Sequence, residues 1–397
     1  MIASSAIQQV SEKRVAVSNL TVSNFRSYGH AKLGTDPSLP LKVLTGPNGA
    51  GKTNLLEAIS FLSPGRGMRR ASLNDITRHG SSAPWAVAAQ VSVSNDTVKI
   101  GTGLDPNTFN QSDAHNKRIA KQDGEILKNS NQLGDLWSIL WLTPQMDRIF
   151  IEGPSSRRRF LDRLVLGLYP DHSRETSAYE RTMRERNKLI SEQGSRADSA
   201  WLSALEAKMA EHGVAVAIKR LDFAGQLAGQ LSSQENGPFP VATLAIDGWV
   251  EGLLADGYSA VDAETAFKDR LKSARSQEIA LGKSASIGVH KTDLIVTHQS
   301  KNMPAELCST GEQKALLIAL IIANAKLQSM LRGQAPIMLL DEVAAHLDTD
   351  RRLGLFEILS DLGSQCWLTG TDRSIFDGIE KQTEFYTIQD GKIQPSA

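Results

Sequence analysis

Apolar and polar positions alternate with a period of two over residues 13–33, around Val15, Val17, Leu20, Val22 and Phe25, which predicts strands with one buried face. A short apolar run, Leu41 to Thr45, leads into a glycine-rich turn and then a helical stretch from Thr53 to Leu62. Strand patterning returns over residues 85–101, with Trp85, Val87, Val91, Val93, Val98 and Ile100. Residues 104–132 turn polar, rich in Asn, Gln, Ser and Lys, and read as a link carrying a further hairpin.

From about residue 133 to 231 the period becomes helical. Phe160, Leu161, Leu164, Val165 and Leu168 share one stripe ahead of Pro170, and Tyr179, Met183 and Leu189–Ile190 mark a second helix. Residues 198–231 carry Trp201, Leu202, Leu205, Met209, Val216, Ala217 and Leu221, enough for one helix of roughly 50 Å if continuous. Glu235 to Pro240 breaks that pattern. Strands and helices alternate again from about 285: Leu294–Val296, a helix through 312–331, Ile337–Leu340, a helix near 350–362, and Cys366–Thr369. No internal repeat is visible. The expected fold is therefore α/β, one domain built from both chain ends (13–132 and 286–393) around a mainly helical lobe (133–285).

The 397 residues are 41% hydrophobic and 22% charged, which suits a packed globular protein. Lys+Arg and Asp+Glu both number 44, so any surface for nucleic acid must be local. Two cysteines, Cys308 and Cys366, exclude a disulfide scaffold or a Cys-rich zinc module and fit a reducing, cytoplasmic setting. Met1 to Val10 lack the basic start and apolar stretch of a signal peptide. The run Ala315–Ala323 is about half of the ~18 residues a membrane span needs, so it is expected as a buried helix, with no membrane partner.

Gly46, Pro47, Asn48, Gly49, Ala50, Gly51, Lys52 and Thr53 fit G-x-x-x-x-G-K-[ST] between an apolar strand and a helix. Glycines let successive N–H groups close around phosphate oxygens, Lys52 reaches the β/γ-phosphates, and the Thr53 hydroxyl faces Mg²⁺. A nucleotide and Mg²⁺ are the expected cofactors. The apolar run Ile337–Leu340 ends in Asp341 and Glu342, carboxylates at the C-terminal end of a buried strand, where open α/β sheets place ligands. Asp341 would hold Mg²⁺ and Glu342 would polarise an attacking water. Ser309, Thr310, Gly311, Glu312 and Gln313 open an apolar helix; Ser309 with Glu312 is a capping box. On the helix alone a plain cap and a second anion site are equally open. Because Ser309 stands 32 residues before Asp341 with a helix between, the anion site is the expected reading, which a chain with one phosphate loop can use for another subunit's nucleotide.

Together these motifs resemble an ABC-type ATPase head. NFRSY at 24–28, GPNGAGKTNLLEAI at 46–59, FLSPGRGMR at 61–69, TPQMDRIFIEGPSSRRRFLDRL at 143–164, GVHKTDL at 288–294 and STGEQKALL at 309–317 are similar to the RecF family of bacterial recombination mediators. The resemblance spans residues 18 to 390. It departs from the common pattern in STGEQK for SQGQQ, in Val289 for proline, and in the additional residues 1–12. It implies that the nucleotide is ATP, that Gln145 senses Mg²⁺ and the γ-phosphate, that Ser309 and Gly311 serve the opposing protomer's ATP, and that Asp348 lies at the dimer interface. Thr371 or Asp372 falls where transporter heads carry a switch histidine. For Arg26 a nucleotide-phosphate contact and an exposed position between strands are both open.

Residues 157–188 hold nine Arg/Lys against five acids, and residues 66–78 hold Arg66, Arg69, Arg70 and Arg78 against Asp75. Such stretches either grip phosphates or form solvated, ion-paired helix faces. With the resemblance, Arg69, Arg70, Arg157, Arg158 and Arg159 are the expected DNA contacts, reading duplexes and single-strand/duplex junctions by shape. The implied activity is a weak, DNA-stimulated ATPase that dimerises on DNA near gaps and works with RecR and RecO in recombinase loading, replication restart and SOS induction, at the nucleoid. A non-hydrolytic ATP-dependent scaffold is the main alternative. Only 256 residues separate Lys52 from Ser309, too few for the long coiled coils of chromosome-organising or Rad50-type heads. A transporter subunit would carry a signature nearer LSGGQ and a switch histidine.

Overall fold

A computed structural model describes residues 14–396, apart from 95, 110–115, 234–236, 282–286 and 346. The additional residues 1–12, part of the 235–240 break and His346 thus lie outside the described residues. In chain order the first elements are β1 (Val15–Phe25), β2 (Tyr28–Gly34), β3 (Leu41–Thr45), α1 (Lys52–Ser60), β4 (Ala86–Val93) and β5 (Asp96–Leu104). There follow β6 (Arg118–Gln122), β7 (Glu125–Ile126), α2 (Leu133–Leu136), β8 (Ile139–Leu142), α3 (Pro154–Leu168), α4 (His172–Gln193) and α5 (Ser199–Ser232). Next come β9 (Ala242–Asp247), α6 (Trp249–Ala255), α7 (Ala260–Leu281), β10 (Asp293–His298), β11 (Met303–Pro304) and α8 (Thr310–Arg332). The chain ends with β12 (Ile337–Leu340), α9 (Thr349–Asp361), β13 (Cys366–Gly370), β14 (Thr383–Gln389) and β15 (Lys392–Ser396).

Two compact units result: Met1–Pro144 with Asn324–Ala397, and Gln145–Ala323. The first holds a sheet ordered β15-β14-β3-β13-β12-β8, in which β14, β3, β13, β12 and β8 run parallel. Every residue of β3, β8, β12 and β13 is buried, as expected of strands covered on both faces. Its second sheet, β2-β1-β4-β5-β6-β7, is antiparallel. Phe25, Phe61 and Trp85 form an aromatic cluster, with Phe25 and Trp85 edge to face at 5.6 Å.

The second unit packs α3 to α7 and the small sheet β11-β10-β9. The 34-residue helix expected from residue 198 onward is continuous as α5. Tyr179, Met209, Val214, Ala217, Phe267 and Leu271 form much of its core. Among them lie buried ion pairs: Arg186 bonds Glu206 at 3.0 Å and Glu278 at 2.7 Å.

The units depart from the sequence parse at both boundaries. Residues 139–142 were expected to be helical, yet they form β8, pairing in parallel with β12. The unit break therefore falls after Pro144 and not near 132. At the other end β10 pairs antiparallel with β9, which keeps residues 286–323 with the second unit. The start of the signature helix thus belongs to the unit that carries the helical lobe. In α8, 83% of the most apolar window is buried, as expected of a core helix.

Candidate nucleotide site

The loop after β3 is shaped by two close approaches. Gly46 has φ +144°, and a Cβ there would stand 2.2 Å from the Ile388 carbonyl oxygen. Gly51 has φ +113°, and its Cβ would meet Ser27 Oγ and Tyr28 Oη at 2.9 Å. Only glycine fits both points. Tyr28 also donates its hydroxyl to Gly51 O at 2.9 Å. Asn48 and Gly49 form the exposed crest, with Ala50 packed beneath. Lys52 opens α1, and its ammonium folds back onto the carbonyls of Gly46 (2.7 Å) and Pro47 (3.0 Å). Burial lowers its pKa, against the raising influence of Glu342 and Asp341.

The register of the parallel sheet puts β13 between β3 and β12. Asp341 therefore emerges beside Thr369 on one flank and near the P-loop helix on the other. Thr53 Oγ1 donates to Asp341 Oδ1 at 3.0 Å, and Thr369 Oγ1 donates to the same oxygen at 2.8 Å. Burial pushes the Asp341 carboxyl up, the two hydroxyl bonds pull it down, and the net shift is upward. Glu342 follows at φ +52°, a region non-glycine residues seldom occupy, and its N–H donates to Thr369 Oγ1 at 2.9 Å. Thr369, 1% exposed, thus ties both acids to the neighbouring strand.

Asn48, Gly49, Gly51, Lys52, Thr53, Asn54, Arg69 and Glu342 line one polar cleft of about 200 Å³. Arg69, expected at DNA, lines this cleft. It donates to Asn54 Oδ1 at 2.9 Å and reaches Glu57 Oε2 at 3.4 Å. Glu57 is fully buried and also accepts a fork from Arg26 at 3.0 and 2.9 Å. Arg26 is therefore not simply an exposed cation: its guanidinium braces Glu57 and the Asp75 carbonyl. Arg70 has φ +55°. Sequence reasoning missed Thr369, Tyr28 and Glu57; the position of Thr369 at the C-terminal end of a strand was the available signal.

In the second unit, Ser309 is exposed and forms the capping box. Glu312 Oε2 accepts its N–H at 3.0 Å and its hydroxyl at 2.9 Å, while Lys301 binds Oε1. Lys301 first, then the Ser309 bonds, hold the Glu312 carboxyl down at about 2. Gly311 is exposed beside it. Gln145 is exposed in the turn Pro144–Arg148.

Arg157 does not present a free guanidinium. It forks onto Asp293 at 2.7 and 2.6 Å and donates to the carbonyls of Phe150 and Glu152. Arg158 donates to Thr292 O at 3.0 Å, and the exposed Arg159 to Ser156 Oγ at 2.7 Å. In the first unit, Asp348 caps α9 by accepting the Arg351 N–H at 2.8 Å, and Asp372 accepts that of Ser374 at 2.8 Å.

The family model for the RecF/RecN/SMC N-terminal domain matches residues 16–394. The "DNA replication and repair protein RecF" of Rhizobium rhizogenes is 45% identical over 384 residues, covering 96% of this chain and 99% of that protein. The chain belongs to the RecF family. Its RecF relative in Rhizobium johnstonii is 44% identical over 381 residues, covering 96% of this chain and 99% of that one. A solved structure of the recombination mediator protein RecF with ATP, in the RecFOR pathway, superposes with a TM-score of 0.84 at 22% identity. It covers 98% of this chain and 100% of that one, so the α/β fold is that of RecF and SMC-type ATPase heads. The fold expected from the motifs is the fold found.

Proposed function

We propose that this RecF-family chain is an ATP-operated DNA clamp of recombinational gap repair, a DNA-stimulated ATPase acting in the cytoplasm at the nucleoid. The observation that carries the reading is the Thr53–Asp341 contact with Glu342 on the same polar cleft. A cleft of about 200 Å³ is below the ~300 Å³ of ordinary ligand pockets, so it suits the polyphosphate end of ATP more than the whole nucleotide. A second protomer would complete the site, presenting Ser309 and Gly311 to the terminal phosphate, with Asp348 at the dimer contact.

A hydroxyl and a carboxylate 3.0 Å apart are the hard oxygen donors that Mg²⁺ takes together with phosphates, so Thr53 and Asp341 would hold the ion, with Gln145 sensing it. When bound, Mg²⁺ neutralises charge on the β- and γ-phosphates. Lys52 leaves the Gly46 and Pro47 carbonyls for the β/γ-phosphates, and Arg69 adds a second cation from the cleft wall. Glu342 accepts the proton of the attacking water, its backbone fixed through Thr369. Hydrolysis then reopens the dimer and releases DNA. RecR and RecO are the proposed partners, in recombinase loading, replication restart and SOS induction.

The test is turnover and mass together. Glu342→Gln protein should bind Mg-ATP, sediment as a dimer, and hydrolyse at least about 100-fold more slowly than wild type. Unchanged turnover would remove Glu342 from the reaction and put a non-hydrolytic scaffold in its place.

A further inference from the structure

Four segments of the second unit converge on a pocket of about 490 Å³, separate from the nucleotide cleft: α3, α4, α5 and the turn at residues 288–291. Its floor is electrically settled. Arg220, 2% exposed, forks onto Asp162 at 2.8 and 2.9 Å and gives its third nitrogen to Glu251 and to the Val289 carbonyl. His172 Nε2 also meets Asp162 at 2.9 Å. Burial alone would raise the Asp162 carboxyl, but Arg220 and His172 outweigh it and hold it far below the usual range.

The walls carry more cations than carboxylates. Arg158 and Arg159 come from α3, Arg184 from α4 and Lys291 from the turn, against one further carboxylate, Glu180. Glu180 is 61% exposed and stands 3.7 Å from Arg184, a loose surface pair of little worth. Burial, and then the nearby Arg220 charge, lower the Arg158 pKa, outweighing the raising influence of Asp162 and Asp293. At the back, Tyr179 Oη and His290 Nδ1 share a hydrogen bond of 2.7 Å. Gly288, at φ +132°, makes that turn possible, because a Cβ would lie 2.2 Å from Tyr179 Oη.

We infer that this pocket binds a phosphate monoester carried on a nucleotide, held by Arg158, Arg159, Arg184 and Lys291. Guanidinium forks match phosphate oxygens in pairs. A monoester, with a charge of about −1.5 to −2, answers several wall cations where an internal diester offers one charge. A volume of about 490 Å³ is that of a pocket for one small ligand such as a nucleotide, not for a length of duplex. The occupant is thus a strand end or a free nucleotide; the strand-end source rests on the DNA-binding reading above.

The experiment uses the full chain and the exposed-residue double variant Arg159→Ala/Arg184→Ala, whose unchanged melting temperature verifies the fold. Fluorescence anisotropy compares recessed duplexes ending in a phosphate or a hydroxyl, and calorimetry titrates dCMP. Wild type should bind the phosphate-ended duplex about tenfold more tightly, and the double variant should lose that preference. A dCMP heat lost in the double variant, without an end preference, keeps the phosphate chemistry and makes the free nucleotide the occupant. If neither duplex binds but that dCMP heat remains, the clamp reading fails and the pocket stands. Equal binding of both ends with no such dCMP heat overturns the inference. So does competition by an acidic peptide but not by dCMP.

Discussion

Glu342 holds a left-handed backbone at φ +52°, a conformation that costs a non-glycine residue about 1 kcal/mol or more. Thr369 offsets that cost with an accepted N–H, and the same hydroxyl fixes Asp341. Thr369→Val keeps the shape and removes both bonds. ATP hydrolysis should fall about 10- to 100-fold while ATP affinity moves less than about threefold, and Thr369→Ser should restore turnover. A parallel loss of affinity and rate, unrelieved by serine, would make Thr369 merely structural. Steady-state kinetics beside nucleotide titration decides it. Gly46 to Thr53, Asp341 and Glu342 were legible because each motif is contiguous and its spacing is dictated by phosphate geometry. Thr369 was not, because its role arises from strand order. The place of Arg69 beside the cleft was hidden for a related reason: counting charge finds a cation but not the buried Glu57 that it reaches.

At the scale of elements, the helical period of α3, α4 and α5 was plain in the sequence, while the fate of their arginines was not. Arg157 meets Asp293, Arg186 meets Glu206 and Glu278, and Arg220 meets Asp162 and Glu251. The partner of Arg157 lies 136 positions away, beyond any local pattern. The strand β8 escaped notice because four apolar residues, ILWL, are too short to show a period. The Asp162–Arg220 pair between α3 and α5 carries a pH signature. The folded-state pKa of Asp162 is depressed, so its contribution is present above its ordinary pKa and is lost as pH falls through that value toward the folded one. Between pH 6 and pH 3, wild type should lose on the order of 1–2 kcal/mol more unfolding free energy than Asp162→Asn. Equal losses in urea titrations would mean that this carboxylate does not stabilise the lobe.

For the whole molecule, the sequence correctly announced a split ATPase head with an inserted lobe, and its motifs named the family. The unit boundaries moved because pairing between β9 and β10 draws residues 286–323 into the lobe's unit, taking Ser309 with them. Phosphate loop and signature therefore belong to different units of one chain. The clamp reading stands or falls on whether ATP creates the DNA-binding form. The direct measurement is fluorescence anisotropy of a gapped duplex titrated with Glu342→Gln protein, with and without Mg-ATP, repeated with Ser309→Arg added. Tight binding only with Mg-ATP, lost in the Ser309→Arg protein, is the predicted result. Binding that ignores ATP, or that survives the signature substitution, would contradict it.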